Sequence, residues 1–164
     1  MRISLPLLLL IIALPGCKER GVTPASSSFI HSVVDSLPLD KSKNILIYTI
    51  NPNDCISCIN GFKFMNSDLS STGNGRLFAI SVGRRIEKEE LSKKITDIDL
   101  SDEKNKCVLW GKDLFDGINA AGGITLALSS VMIYNYEKDS VIFSKPIREV
   151  SDDQLLRDAL VKKL

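Results

Sequence analysis

Asp54-Cys55-Ile56-Ser57-Cys58 is a stretch whose residue types and spacing suit covalent chemistry. It stands between an apolar run predicted as a strand and a segment predicted as a helix. A spacing of three on a helix puts both sulfurs on one side of the first turn, close enough to form or break a disulfide. The unpaired N–H groups of a helix start favour an anion and stabilise the Cys55 thiolate. That effect is about 0.3–1 kcal/mol, less than one pKa unit at about 1.36 kcal/mol per unit. Asp54 acts in the opposite sense, and no Arg or Lys is adjacent. The expectation is a mildly acidified thiol. Such a thiol still attacks disulfides well, because thiolate fraction and nucleophilicity trade off.

Three readings of the pair stand at this point. It is a redox site, or a static structural disulfide or degenerate site on a binding module, or half of a zinc site completed by Cys107 and His31. Only the Cys-X-X-Cys half has zinc-ligand spacing. With one histidine in the chain, metal-hydrolase and Cys–His protease chemistry lack their ligands or base. His31 is expected on the surface without a partner, and Cys107 as a buried, inert thiol. Trp110 and Phe115 read as core residues. Gly122-Gly123 reads as a helix stop, since no nucleotide-binding glycine pattern is present.

The elements around the pair follow from periodicity. Ile45–Ile50 is a continuous β-branched and aromatic run bounded by turn residues, the mark of a strand buried on both faces. Asn53 or Asp54 can cap the helix that opens at Cys55, with Ile59, Phe62, Met65 and Leu69 on one side. Gly61 weakens that helix by about 1 kcal/mol relative to alanine. Leu77–Val82 is a second buried strand, Ile86–Ile98 an amphipathic helix with solvated charges, and Cys107–Trp110 a third strand. Leu114–Ala121 is a helix; Val131–Tyr134 and Val141–Phe143 form a hairpin. Ser151-Asp152-Asp153-Gln154 has the pattern of a capping box before a last helix from Leu155. Phe29–Leu37 suggests a short N-terminal helix ended by Pro38. Strands alternating with helices in the order β-α-β-α-β-α-β-β-α argue for an α/β fold, parallel in part, closing on an antiparallel hairpin.

The N-terminus carries a different signal. Arg2 precedes the apolar Leu7–Leu14, which is too short for the roughly 20 residues that span a bilayer. Leu14-Pro15-Gly16-Cys17 resembles the bacterial lipobox. The resemblance implies a signal peptide over residues 1–16, lipidation of Cys17, a flexible polar tether over 17–28 and a folded domain over 29–164. Two or three acyl chains anchor a protein stably at about 0.8 kcal/mol per buried CH₂. Removing residues 1–16 from the 164 leaves 148, one domain with a core of its own. Loss of Arg2 leaves 20 basic against 20 acidic side chains, a balance that offers nothing to nucleic acid. With Cys17 on lipid, Cys55, Cys58 and Cys107 are odd in number. At least one thiol is then free, catalytic or intermolecular.

Cys55-Ile56-Ser57-Cys58 after the Ile45–Ile50 strand, the strand order, and the Val131–Phe143 hairpin before a last helix together resemble the thioredoxin superfamily over about residues 40–164. The likeness is to the membrane-tethered thiol–disulfide oxidoreductases of the bacterial envelope. It implies a central mixed sheet of about five strands flanked by helices. Cys55 would be the attacking cysteine and Cys58 the resolving one, with no cofactor and no metal. The partners implied are a protein disulfide or dithiol and an envelope redox protein that recycles the site. The chain departs from the family in having Asp54 where an aromatic residue is usual. It also has Leu128-Ser129-Ser130-Val131 where a cis-proline usually precedes the hairpin. Ser129 and Ser130 are the counterparts of the substrate-binding loop. A cis bond without proline costs about 2.5–4 kcal/mol, so Ser129–Ser130 is expected to be trans.

Overall fold

The structure is a computed structural model that describes residues 24–54, 61, 69, 72–82, 89, 93, 104–124 and 127–164. Its described elements run α1 (Pro24–Asp35), β1 (Ile45–Ile50), β2 (Arg76–Ile80), β3 (Lys106–Trp110), α2 (Lys112–Ala121), β4 (Ser130–Asn135), β5 (Ser140–Pro146), α3 (Ile147–Asp152) and α4 (Gln154–Val161). The helices expected from Cys55 and over Ile86–Ile98 fall mostly outside the described residues. Within them Gly61, Leu69, Glu89 and Lys93 are described, and all four are helical.

The strands form one five-stranded sheet in the order β3-β2-β1-β4-β5. β1 is parallel to β2, and β2 to β3, while β4 runs antiparallel to both β1 and β5. The expected parallel part and closing hairpin are both present. β1 lies at the centre, and all six of its residues are buried. Alternation along a strand sends successive side chains to opposite faces, so a central strand covered on both sides must be apolar throughout. Leu46, Tyr48 and Ile50 join Phe78, Ile80, Val131 and Ile133 on one face, under Ile147, Val150 and Leu160 of α3 and α4. Ile45 and Ile47 join Leu77, Ala79 and Met132 on the other, under Ile30 and Val34 of α1 and Ile118 and Ala121 of α2. A one-residue slip of β1 would exchange the two sets, so burial holds the register. Each large apolar side chain contributes roughly 1.5–3 kcal/mol on burial, more than any local cap nearby.

Two boundaries differ from the sequence reading. α1 begins at Pro24, inside the segment expected to be tether, and not at Phe29. Proline suits the first turn of a helix, where its missing N–H has no intrahelical acceptor. The second difference lies at the C-terminus. The cap of α4 is Asp153, whose carboxylate accepts from the amides of Leu155 at 2.8 Å and Leu156 at 3.4 Å. Ser151, the expected cap, instead donates to the carbonyl of Arg148 at 3.0 Å. It lies inside the short helix α3, which forms because Ile147 and Val150, one turn apart, are both fully buried.

The expectations for the end of α2 and for Phe115 and Trp110 hold. α2 stops at Gly122 and Gly123, the latter at φ +75°, a left-handed conformation that suits glycine. Phe115 is buried and Trp110 packs against the core. Among the described residues no helix is long and apolar enough to cross a membrane.

Candidate functional site

β1 is where the chain's direction through the sheet reverses. Its crossover leads to parallel β2 on one side, and β4 returns antiparallel on the other. In open α/β sheets such a switch point opens a crevice beyond the carboxyl ends of the strands. Residues Asn51–Asp54 leave β1 into that crevice. The Asn53 amide donates to the Asn51 side chain at 3.0 Å, an Asx turn, and the Asp54 amide donates to the Asn51 carbonyl at 3.1 Å.

Facing this turn is the loop 127–129, which leads into β4. Four of its backbone polar groups have partners within the protein. The Ala127 carbonyl accepts from the Asn51 side chain at 2.7 Å, and the Leu128 carbonyl from the Asn119 side chain at 3.0 Å. The Ser129 amide donates to the Asp54 carboxylate at 2.7 Å, and the Ser129 carbonyl accepts from the Ile147 amide at 2.9 Å. The Asn51 amide donates to the Ser129 hydroxyl at 2.9 Å.

Beneath the loop lies a buried polar cluster. The hydroxyls of Thr49 and Ser130 both donate to the Asn119 side-chain oxygen, at 2.8 and 2.9 Å, and lie 2.7 Å from each other. The Ser130 amide donates to Thr49 at 3.1 Å. Buried polar groups cost free energy unless paired, and here each finds a partner.

Of the residues expected to form the site, Ser129 and Ser130 are the ones described, and both are buried. No peptide bond among the described residues is cis, so the Ser129–Ser130 bond is trans as expected. Both hydroxyls are used within the protein. What the loop offers outward is the side chain of Leu128, 36% exposed. Leu128 lines a cleft of about 320 Å³ together with Asn53, Asp54, Ser129, Pro146 and Arg148. A second cleft of similar size adjoins it across Leu128, Pro146 and Glu149.

Cys17, Cys55 and Cys58 lie outside the described residues. Cys107 is a buried thiol outside any disulfide, on the edge strand β3 in the cluster with Leu77 and Ile118. His31 differs from expectation. Its Nδ1 lies 2.9 Å from the Tyr134 hydroxyl, and its ring stacks on Tyr136 at 4.6 Å between centroids. The β4–β5 hairpin brings both tyrosines from the far end of the sequence, which local reading of His31 had no means to anticipate. Tyr136 in turn donates to Asp35 at 2.7 Å, and with the neighbouring Lys41 this holds the Asp35 carboxyl below the usual range. Among the described residues no group of three His, Cys, Asp or Glu side chains converges as a metal site would.

Thr49, Asn51 and Asn119 were not singled out from the sequence. The available signals were a threonine inside the apolar run Ile45–Ile50 and an asparagine on the apolar side of α2 between Ile118 and Ala121.

A mixed sheet with its central strand between a parallel pair and an antiparallel hairpin, covered by helices on both faces, defines a thioredoxin-like α/β fold. Solved structures similar to this chain include two from Bacteroides. One is the thioredoxin domain of a thiol-disulfide oxidoreductase from Bacteroides vulgatus, 11% identical over 74% of this chain and 79% of that one, with a TM-score of 0.49. The other is the solution structure of a thiol:disulfide interchange protein from Bacteroides sp., 11% identical over 74% and 73%, with a TM-score of 0.48. No family model matches the sequence, and no curated protein matches it.

Proposed function

We propose that this chain is a lipid-anchored thiol–disulfide oxidoreductase of the bacterial cell envelope, acting on protein disulfides or dithiols through Cys55 and Cys58. The observation that carries the proposal is the contact between Asp54 and the Ser129 amide at the mouth of the crevice. Cys55 is the next residue, one peptide unit or about 3.8 Å from Asp54 between Cα atoms. Asp54, the residue before the Cys-X-X-Cys in sequence, lines a cleft together with Leu128 and Ser129.

In the reducing direction the Cys55 thiolate attacks one sulfur of a partner disulfide. A mixed disulfide forms and the partner's other sulfur leaves as a thiolate. The Cys58 thiolate then attacks the Cys55 sulfur, forming the Cys55–Cys58 disulfide and releasing the partner's second thiolate. Two electrons pass to the partner, and a dithiol protein of the envelope returns them to the pair. Lipid on Cys17 would hold the domain at the membrane, facing the periplasm or the exterior.

The test is trapping. In Cys58→Ser the mixed disulfide cannot be resolved, so partner proteins should accumulate on Cys55 and be released by reductant. Absence of adducts, together with failure to reduce a model disulfide, would sink the proposal. Anchoring is tested by incorporation of a palmitate analogue, lost in Cys17→Ala.

A second reading is a thioredoxin-fold lipoprotein without catalysis that binds a partner. It is favoured by the Ser129 amide and carbonyl, which are both engaged within the protein and not offered to a visiting strand. A Cys55 that reacts with thiol reagents only after denaturation selects this reading.

A further inference from the structure

His31 is the chain's one histidine, and it lies on α1, the helix through which the segment before Pro24 joins the fold. Its Nδ1 is 2.9 Å from the Tyr134 hydroxyl and 3.7 Å from the Asp139 carboxylate. Tyr134 has one hydroxyl proton and donates it to Asp139 at 2.7 Å. The tyrosine oxygen therefore accepts from His31, and Nδ1 carries a hydrogen whether the ring is neutral or charged. Taking up a second proton, on Nε2, leaves this hydrogen bond whole and adds a positive charge. Both His31 and Asp139 are partly exposed, so solvent protons reach them.

We propose that His31 is a proton-dependent latch that fastens α1 to the β4–β5 hairpin, closing more firmly in mildly acidic solution. The described groups around the ring favour its charged form. Asp139, on the hairpin turn, is within ion-pair distance. Asp35, one turn further along α1, is kept ionised by the Tyr136 hydroxyl and then by Lys41. Tyr136 stacks on the ring at 4.6 Å with 13° between planes, and an aromatic face attracts a cation. Lys41 opposes the charge, but it lies 3.7 Å from Asp35. Glu137 and Lys138 on the hairpin turn are exposed, with opposite charges. On α2, which also packs against α1, Lys112 pairs with Asp116, and Asp113 stands in the first turn. In the unfolded chain Tyr134, Tyr136 and Asp139 are more than 100 residues away from His31, so the gain belongs to the folded state. Histidine changes charge between about pH 5 and 8, so the gain is present in acid and lost as pH rises. Ile30 and Val34 hold α1 on the sheet in either state, so the latch sets how often the helix opens.

The experiment follows amide hydrogen exchange of the full-length protein by mass spectrometry at about pH 5.5 and about pH 7.5, on either side of histidine's usual range. Protection is taken relative to the intrinsic exchange rate at each pH. Protection of α1 should be about two- to five-fold greater at the lower pH, the scale of an exposed ion pair, while that of β1 stays level. Asp139→Asn keeps an acceptor for the Tyr134 hydroxyl, suits the backbone at φ +43° and removes the charge. Its α1 protection should be equal at the two pH values. His31→Gln, which keeps a donor without a charge, should behave in the same way. Equal α1 protection at both pH values in the parent overturns the latch, as does an equal change in α1 and β1. A pH dependence that survives in both variants overturns it too. None of these outcomes bears on the oxidoreductase reading, because no cysteine takes part.

Discussion

Thr49 on the central strand and Asn119 on α2, far apart in sequence, meet inside the protein at 2.8 Å, hydroxyl to side-chain oxygen. Asn119 also takes the Ser130 hydroxyl and donates to the Leu128 carbonyl, so one side chain ties strand, helix and loop together. Asn119→Ala removes a partner from three groups, two of them buried hydroxyls. We expect a loss of about 2–4 kcal/mol, read from chemical denaturation, and faster hydrogen exchange along 127–130. Unchanged exchange there would show that the loop is held by other contacts.

Gly61 has a structural reason that its sequence context conceals. A Cβ built on it would lie 2.8 Å from the Ser151 Cβ of α3. That neighbour is anchored to backbone and has little freedom to retreat. Gly61→Ala should destabilise the protein by about 1–3 kcal/mol, although alanine favours an exposed helix by about 1 kcal/mol. A stabilised variant would mean that α3 moves aside at little cost.

The last helix distinguishes two candidate caps. Asp153→Ala removes the acceptor for the Leu155 and Leu156 amides and should cost about 1 kcal/mol. Ser151→Ala, at the residue that the sequence pattern favours, should stay within about 0.5 kcal/mol. Unfolding midpoints of the two variants decide between them.

Alkaline pH tests the core. Tyr48 is wholly buried, stacked on Phe78 with centroids 5.2 Å apart, and burial pushes its phenol well above the ordinary value of about 10. Below pH of about 10 the group is protonated whether the chain is folded or not, so it adds no slope. Above that, the unfolded chain gives up its proton first, and stability falls as pH rises. Tyr48→Phe should remove part of this slope above pH of about 10. Tyr134, also raised by burial and then by its hydrogen bond to Asp139, accounts for a further part. Identical slopes in parent and variant would refute the assignment.

The reach of sequence reading can be seen residue by residue. Ile45–Ile50 was recognisable as a doubly buried strand because a central strand admits no polar face. The Val131–Phe143 hairpin and the stop at Gly122-Gly123 were recognisable because turn chemistry is local. The cap at Asp153 was misplaced by two residues, since the pattern at Ser151 carries no sign that Ile147 and Val150 are buried beneath α3. His31 was read as unpartnered, since its tyrosines arrive only when β4 and β5 pair.

By itself the sequence determined the α/β class, the succession of the strands along the chain and the Cys-X-X-Cys after one of them, because periodicity, turn residues and short spacings are properties of neighbouring residues. The tertiary structure alone decided that this strand is central, that Asp54 meets the Ser129 amide, and that Thr49, Asn119 and Ser130 share one buried cluster. Those relationships join residues dozens of positions apart. They exist only once burial of both sheet faces has fixed the strand order and register, and no local pattern encodes that choice.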